Sequence, residues 1–146
     1  MKKLLLIATV LLSACSSSPS VIVPVTQLTG VWSGPLTFKN GGTFTVYVDF
    51  DQNASDVMVF QEPDGFISQI DATASYSAAT RAVTVNWNDT VYSCASDSAT
   101  GIVHATLNAG ATVISGTFDY GEVRNDGTIT LKPAAGMPTP IKHCVM

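Results

Sequence analysis

The segment TFTVYVDF, residues 43 to 50, places Phe44, Val46, Val48 and Phe50 on one side and Thr43, Thr45, Tyr47 and Asp49 on the other. A period of two is the signature of a strand with one buried face, and it recurs along most of the chain. VMVFQ (57–61), FISQIDATASY (66–76), AVTVNW (82–87), VYSCA (91–95), IVHATL (102–107), TVISGTFDY (112–120) and GTITLK (127–132) all read as strands, with a first strand over about Gly30 to Phe38. Between them lie Asn40-Gly41, Glu62-Pro63-Asp64-Gly65, Asn88-Asp89, Asn108-Ala109-Gly110 and Asn125-Asp126-Gly127, groups that favour tight reversals. No later segment carries a sustained helical stripe. Parallel strands would need crossovers of a dozen or more residues, for which these gaps have no room. The expected fold is therefore all-β, an antiparallel up-and-down barrel of eight to nine strands, with a β-sandwich as the alternative because patterning does not give strand order.

The N-terminus has a different composition. MKKLLLIATVLLSAC begins with Lys2 and Lys3, continues with an apolar run from Leu4 to Leu12 and ends in small residues before a cysteine, the pattern of an export signal. The run is about half the ~20 residues of a membrane-spanning helix. Leu12-Ser13-Ala14-Cys15 resembles the lipobox of bacterial lipoproteins. That resemblance implies cleavage before Cys15, acylation of Cys15, and attachment to a membrane through acyl chains, each buried CH₂ contributing about 0.8 kcal/mol. Ser16 after the cysteine is similar to the outer-membrane pattern of enterobacterial lipoproteins. The expected organisation is a signal peptide over 1–14, a tether over 15–27 that includes Ser16-Ser17-Ser18-Pro19-Ser20, a barrel over 28–132 and a Pro-rich tail over 133–146.

Seven basic residues less Lys2 and Lys3 leave five against eleven acidic ones, a formal charge of −6 for the mature chain. Lys39, Arg81, Arg124, Lys132 and Lys142 are scattered singly. A nucleic-acid backbone or a strongly anionic lipid surface is bound by clustered cations, so neither is an expected partner. With Cys15 committed to lipid, Cys94 and Cys144 are left as a pair in an oxidising compartment. A bridge between them would close a loop of about fifty residues, worth roughly 4 kcal/mol in the chain-entropy model, and would staple the tail.

Gly30-Val31-Trp32 resembles the Gly-x-Trp that opens lipocalins and avidin-like barrels, where the tryptophan closes one end. The resemblance implies a ligand cavity, for which Trp32, Phe44, Trp87 and Phe118 are the candidate lining residues. The other reading of Trp32 is a core side chain at a strand start.

Reactive chemistry finds little support. His104 alternates with Val103, Ala105 and Leu107, so if those face the core it faces solvent. No Gly-x-Ser-x-Gly or Ser-x-x-Lys occurs in the mature chain, Ser96 has no evident base, and Glu62 and Glu122 neighbour turn residues. Asp49, Asp51 and Asn53 are spaced like the first ligands of a calcium loop, but Ala54 and Phe60 stand where that loop needs Gly and Glu. His143 beside Cys144 lacks the second close pair of a zinc site. No catalytic residue, metal or cofactor is expected. The expectation is a non-enzymatic envelope lipoprotein that binds or supports an unidentified envelope protein. The alternatives are a carrier of a small apolar ligand, or an inhibitor of an attacking hydrolase, since lysozyme-inhibitor lipoproteins are also small disulfide-bearing barrels.

Overall fold

The computed structural model describes residues 27–51, 57–63, 65, 67–88 and 100–139. Eight strands appear among them: β1 (Val31–Phe38), β2 (Thr43–Asp49), β3 (Val57–Gln61), β4 (Ile67–Ser77), β5 (Ala82–Asn88), β6 (Thr100–Leu107), β7 (Ile114–Tyr120) and β8 (Val123–Pro133). Each pairs antiparallel with the next, and β8 returns to β1, so the sheet closes into an up-and-down barrel. The sandwich is thereby ruled out. Closure leaves no strand edge to pair with another chain. The segment VYSCA, with Cys94, lies outside the described residues, as do Cys15, Asn53, Ser96, His143 and Cys144.

The alternation decides what is inside. Val46, Val48, Val83, Val85, Val103, Leu107, Ile114, Ile129 and Leu131 point inward and are buried, and no polar or charged residue among the described ones is buried. Outward positions carry hydroxyls instead. One cross-strand row runs Ser75, Thr84, His104, Thr117, Thr128, Thr37, Thr43, each the register partner of the next. The Thr43 hydroxyl lies 3.2 Å from that of Thr37. A barrel that crosses a bilayer needs an apolar outward band and a polar lumen; this one has the reverse arrangement.

The turns follow local chemistry, with two departures from expectation. Between β1 and β2, Gly41 takes φ +95°, the Asn40 side chain accepts from the Gly42 amide at 3.0 Å, and the Phe38 amide donates to the Gly42 carbonyl. Gly65, at φ +90°, donates to the Glu62 carbonyl in the expected turn. After β6, however, the left-handed residue is Ala111 (φ +54°) rather than Gly110. Asn108 makes this possible, because its Oδ1 accepts from the amides of Thr112 and Val113 and its Nδ2 donates to the Thr112 hydroxyl. The second departure is larger. Asn125-Asp126-Gly127 does not separate two strands: the chain reverses earlier, at Gly121 (φ +57°) and Glu122, and β8 runs through all three residues. Asn125 (φ +50°) absorbs a register irregularity opposite Phe118 and Tyr120, and Gly127 is a strand residue packed under the Phe118 ring.

Candidate functional site

Strand direction gives the barrel two distinct ends. Chain enters β1 and leaves β8 at one of them, where the β2–β3, β4–β5 and β6–β7 connections also lie; this is the entry end. The β1–β2, β3–β4, β5–β6 and β7–β8 connections lie at the far end.

Trp32 closes the entry end. Gly30, at φ +75°, turns the incoming chain across the opening, its carbonyl accepts from the Phe50 amide, and Leu28 is buried. The Trp32 indole donates to the Thr29 carbonyl at 3.3 Å and meets Phe50 edge-on, with ring centres 6.5 Å apart. A buried tryptophan with its N–H paired and its ring packed is well satisfied there.

The other three candidate lining residues gather at the far end, in an arrangement that local pattern could not supply. Phe38, Phe44, Phe60, Trp87 and Phe118, from five different strands, form a closed ring of edge-to-face and tilted contacts. Successive centroid separations are 5.8, 6.4, 6.1, 6.3 and 4.9 Å. Tyr120 joins through Phe38 at 5.5 Å. All these distances fall within the range where aromatic pairs attract beyond their area burial, by about 0.5–1.5 kcal/mol each. Small residues make the space. Trp87 pairs across the sheet with Ala72 on one side and Gly101 on the other, and Phe118 pairs with Gly127. A Cβ at Gly101 would overlap the Trp87 indole, and one at Gly127 would meet both the Thr37 carbonyl and the Phe118 ring. Phe118 is fully buried and Trp87 nearly so, while Phe38, Phe44, Phe60 and Tyr120 are partly buried and packed on the core. So Trp32 stands apart from the other three, and what occupies the far half of the interior is the rings themselves.

On the outer wall of the same end, Asp119 of β7 binds two neighbours. Its Oδ1 accepts from the Asn125 amide at 2.7 Å and its Oδ2 from the Arg124 guanidinium at 2.7 Å, with His104 Nε2 of β6 at 3.6 Å. The amide hydrogen bond from Asn125, followed by that from Arg124, holds the Asp119 carboxyl below its ordinary value of 3.8. This carboxylate therefore pins the irregular start of β8 to β7. A folded-state value below the unfolded one means that the contribution is full above the ordinary value and is lost as pH falls through the depressed one. Asp119→Asn should melt at a lower temperature than wild type at pH 7, and the gap should narrow as the pH is taken down through 4 and below. Thermal melts at a series of pH values check this. His104 is exposed, as its place between Val103 and Ala105 implies.

No protein family, curated protein or solved structure matches this chain. The residues must carry the functional reading alone. His104 has Thr84 and Thr117 as its cross-strand neighbours, and Asp119 pairs with Ile102, so the groups around this carboxylate are hydroxyls and an aliphatic side chain besides Arg124. At the edge of the entry end, the Asp51 amide donates to the Asp49 carboxylate at 3.0 Å, an Asx turn in which that carboxylate already serves the backbone.

Proposed function

We propose that the protein is a lipid-anchored module of the bacterial envelope that works through its outer surface and loops, as a binding or structural element rather than as an enzyme. The observation that supports this most is the filling of the barrel by its own side chains, above all by the five-membered aromatic ring. An eight-stranded barrel has an interior just wide enough for side chains or for one small ligand, and here aromatic and branched aliphatic groups take that space. The polar, hydroxyl-rich wall suits a domain surrounded by water beside a membrane. The lipobox at Leu12-Ser13-Ala14-Cys15 supplies the membrane attachment.

Two measurements on one preparation test both halves of this reading. Wild-type protein should pellet with membranes, and Cys15→Ser should be either soluble or recovered at precursor size; a variant of mature size that still pellets would remove the anchor. An apolar fluorescent probe titrated against the wild type should show no saturable binding. Stoichiometric uptake would transfer the function to a carrier of small apolar ligands.

A further inference from the structure

We propose that the barrel stands end-on to the bilayer, with its entry end facing the lipid surface and its aromatic far end turned away from it. This rests on the lipid attachment at Cys15 and adds to it a direction.

Two independent observations carry the orientation. The first is where the chain leaves the barrel. Trp32 pairs with Pro133 and Val31 with Asp49, so the segment leading back to Cys15 departs at the entry end. Leu28 and Trp32 are packed into that end, and the Ala134 amide donates to the Val31 carbonyl, so the departure point is fixed to the barrel. Twelve residues separate Leu28 from Cys15. Chains of that length average about 20 Å end to end. A strand of eight residues rising about 3.3 Å each and tilted by about 40° gives the barrel a similar height. The upright arrangement admits every span of the tether, whereas turning the barrel over admits only spans of at least the barrel height, the longer part of its range.

The second observation is the distribution of charge along the barrel axis. Among the described residues of the two ends, Asp49 and Asp51 at the entry end are balanced by Arg81 and Lys132. At the far end Glu62, Asp119, Glu122 and Asp126 outnumber Lys39 and Arg124. Asp71 lies between, midway along β4. An anionic lipid surface repels an acidic end that comes within a Debye length, about 8–10 Å, and is indifferent to a neutral one. Both observations turn the same end toward the membrane. The consequence is that the β1–β2 and β7–β8 turns, Glu62 and the partly buried rim of Phe38, Phe44, Phe60 and Tyr120 are turned away from the lipid.

Energy transfer to labelled headgroups tests the orientation. Full-length lipidated protein carrying Ala109→Cys at the entry end or Asn40→Cys at the far end is labelled with a donor dye, with the unsubstituted protein as the labelling blank. Each is reconstituted into vesicles that contain anionic lipid and a headgroup acceptor. Transfer should be severalfold stronger from position 109 than from position 40. Equal or reversed transfer, with the protein still on the vesicles, overturns the orientation and leaves the anchor intact. Protein that stays in the supernatant removes the anchor and the orientation with it.

Discussion

Phe118→Ala should destabilise the barrel by about 3–5 kcal/mol, the range for truncating a buried aromatic side chain. Phe118 is the largest fully buried side chain among the described residues. It closes the aromatic ring through Phe38 at 4.9 Å and Trp87 at 6.3 Å. Its neighbours are poorly placed to refill the space. Gly127, directly across the strand pair, has no side chain to offer, and Trp87 is held by its own packing against Gly101. A site that collapses little lies toward the upper part of the range. For a domain of this size each kcal/mol moves the melting midpoint by a few degrees, so a drop of about 10–20 °C is expected. Chemical denaturation of both proteins checks it. Total stability of small domains is only about 5–15 kcal/mol, so Phe118→Leu serves as the companion variant, expected to fold and to lose less. The same pair extends the cargo test, because an apolar probe that ignores wild type should enter the space left by Phe118→Ala.

The strand pattern was legible because burial on a sheet follows a period that sequence displays directly. Phe44 to Phe50 and Val83 to Trp87 alternate in the structure as they do in the text, and the Glu62–Gly65 reversal has the residues its geometry demands. The β7–β8 hairpin was misplaced for a physical reason. Asn125-Asp126-Gly127 has turn chemistry, but Gly121 reverses the chain first, and Asp119 then binds the Asn125 amide so that the left-handed residue becomes an irregularity inside β8. Gly127 is a glycine for packing rather than for φ. At Ala111 the error runs the other way, since three hydrogen bonds from Asn108 place the left-handed conformation on a residue that disfavours it. Of the aromatic ring, Phe44, Trp87 and Phe118 stood out in the sequence, whereas Phe38, Phe60 and Tyr120 did not. Their signal was present, since Phe38 shares the inward side of β1 with Trp32 and Leu36, and Phe60 that of β3 with Met58. What local pattern withholds is height along the barrel axis. Whether five inward rings from five strands meet at one level depends on register and shear, which only pairing across the whole sheet determines.

Gly101→Ala is the sharpest probe of that level, because two effects of opposite sign meet at one methyl group. In the middle of a strand, replacing glycine with alanine normally stabilises by about 0.5–1 kcal/mol through lost freedom in the unfolded chain. At Gly101 the added Cβ would overlap the indole of Trp87. That indole is wedged between Phe60 and Phe118, with Ala72 on its other flank, so it has little room to retreat. Overpacking of this kind costs about 1–3 kcal/mol and occasionally more, which exceeds the entropic gain and sets the sign. Gly110→Ala is the control. Its Cβ would find only ordinary contacts with Thr112 and Asn108, and its effect should be small. The decisive measurement is a double-mutant cycle with Trp87→Leu. Contacting residues couple by about 0.5–3 kcal/mol, so Gly101→Ala should destabilise the wild type yet become neutral or stabilising once the indole is gone. Additive effects would mean that Trp87 and Gly101 do not meet, and the ring would then lose the member that joins its β3 and β7 sides.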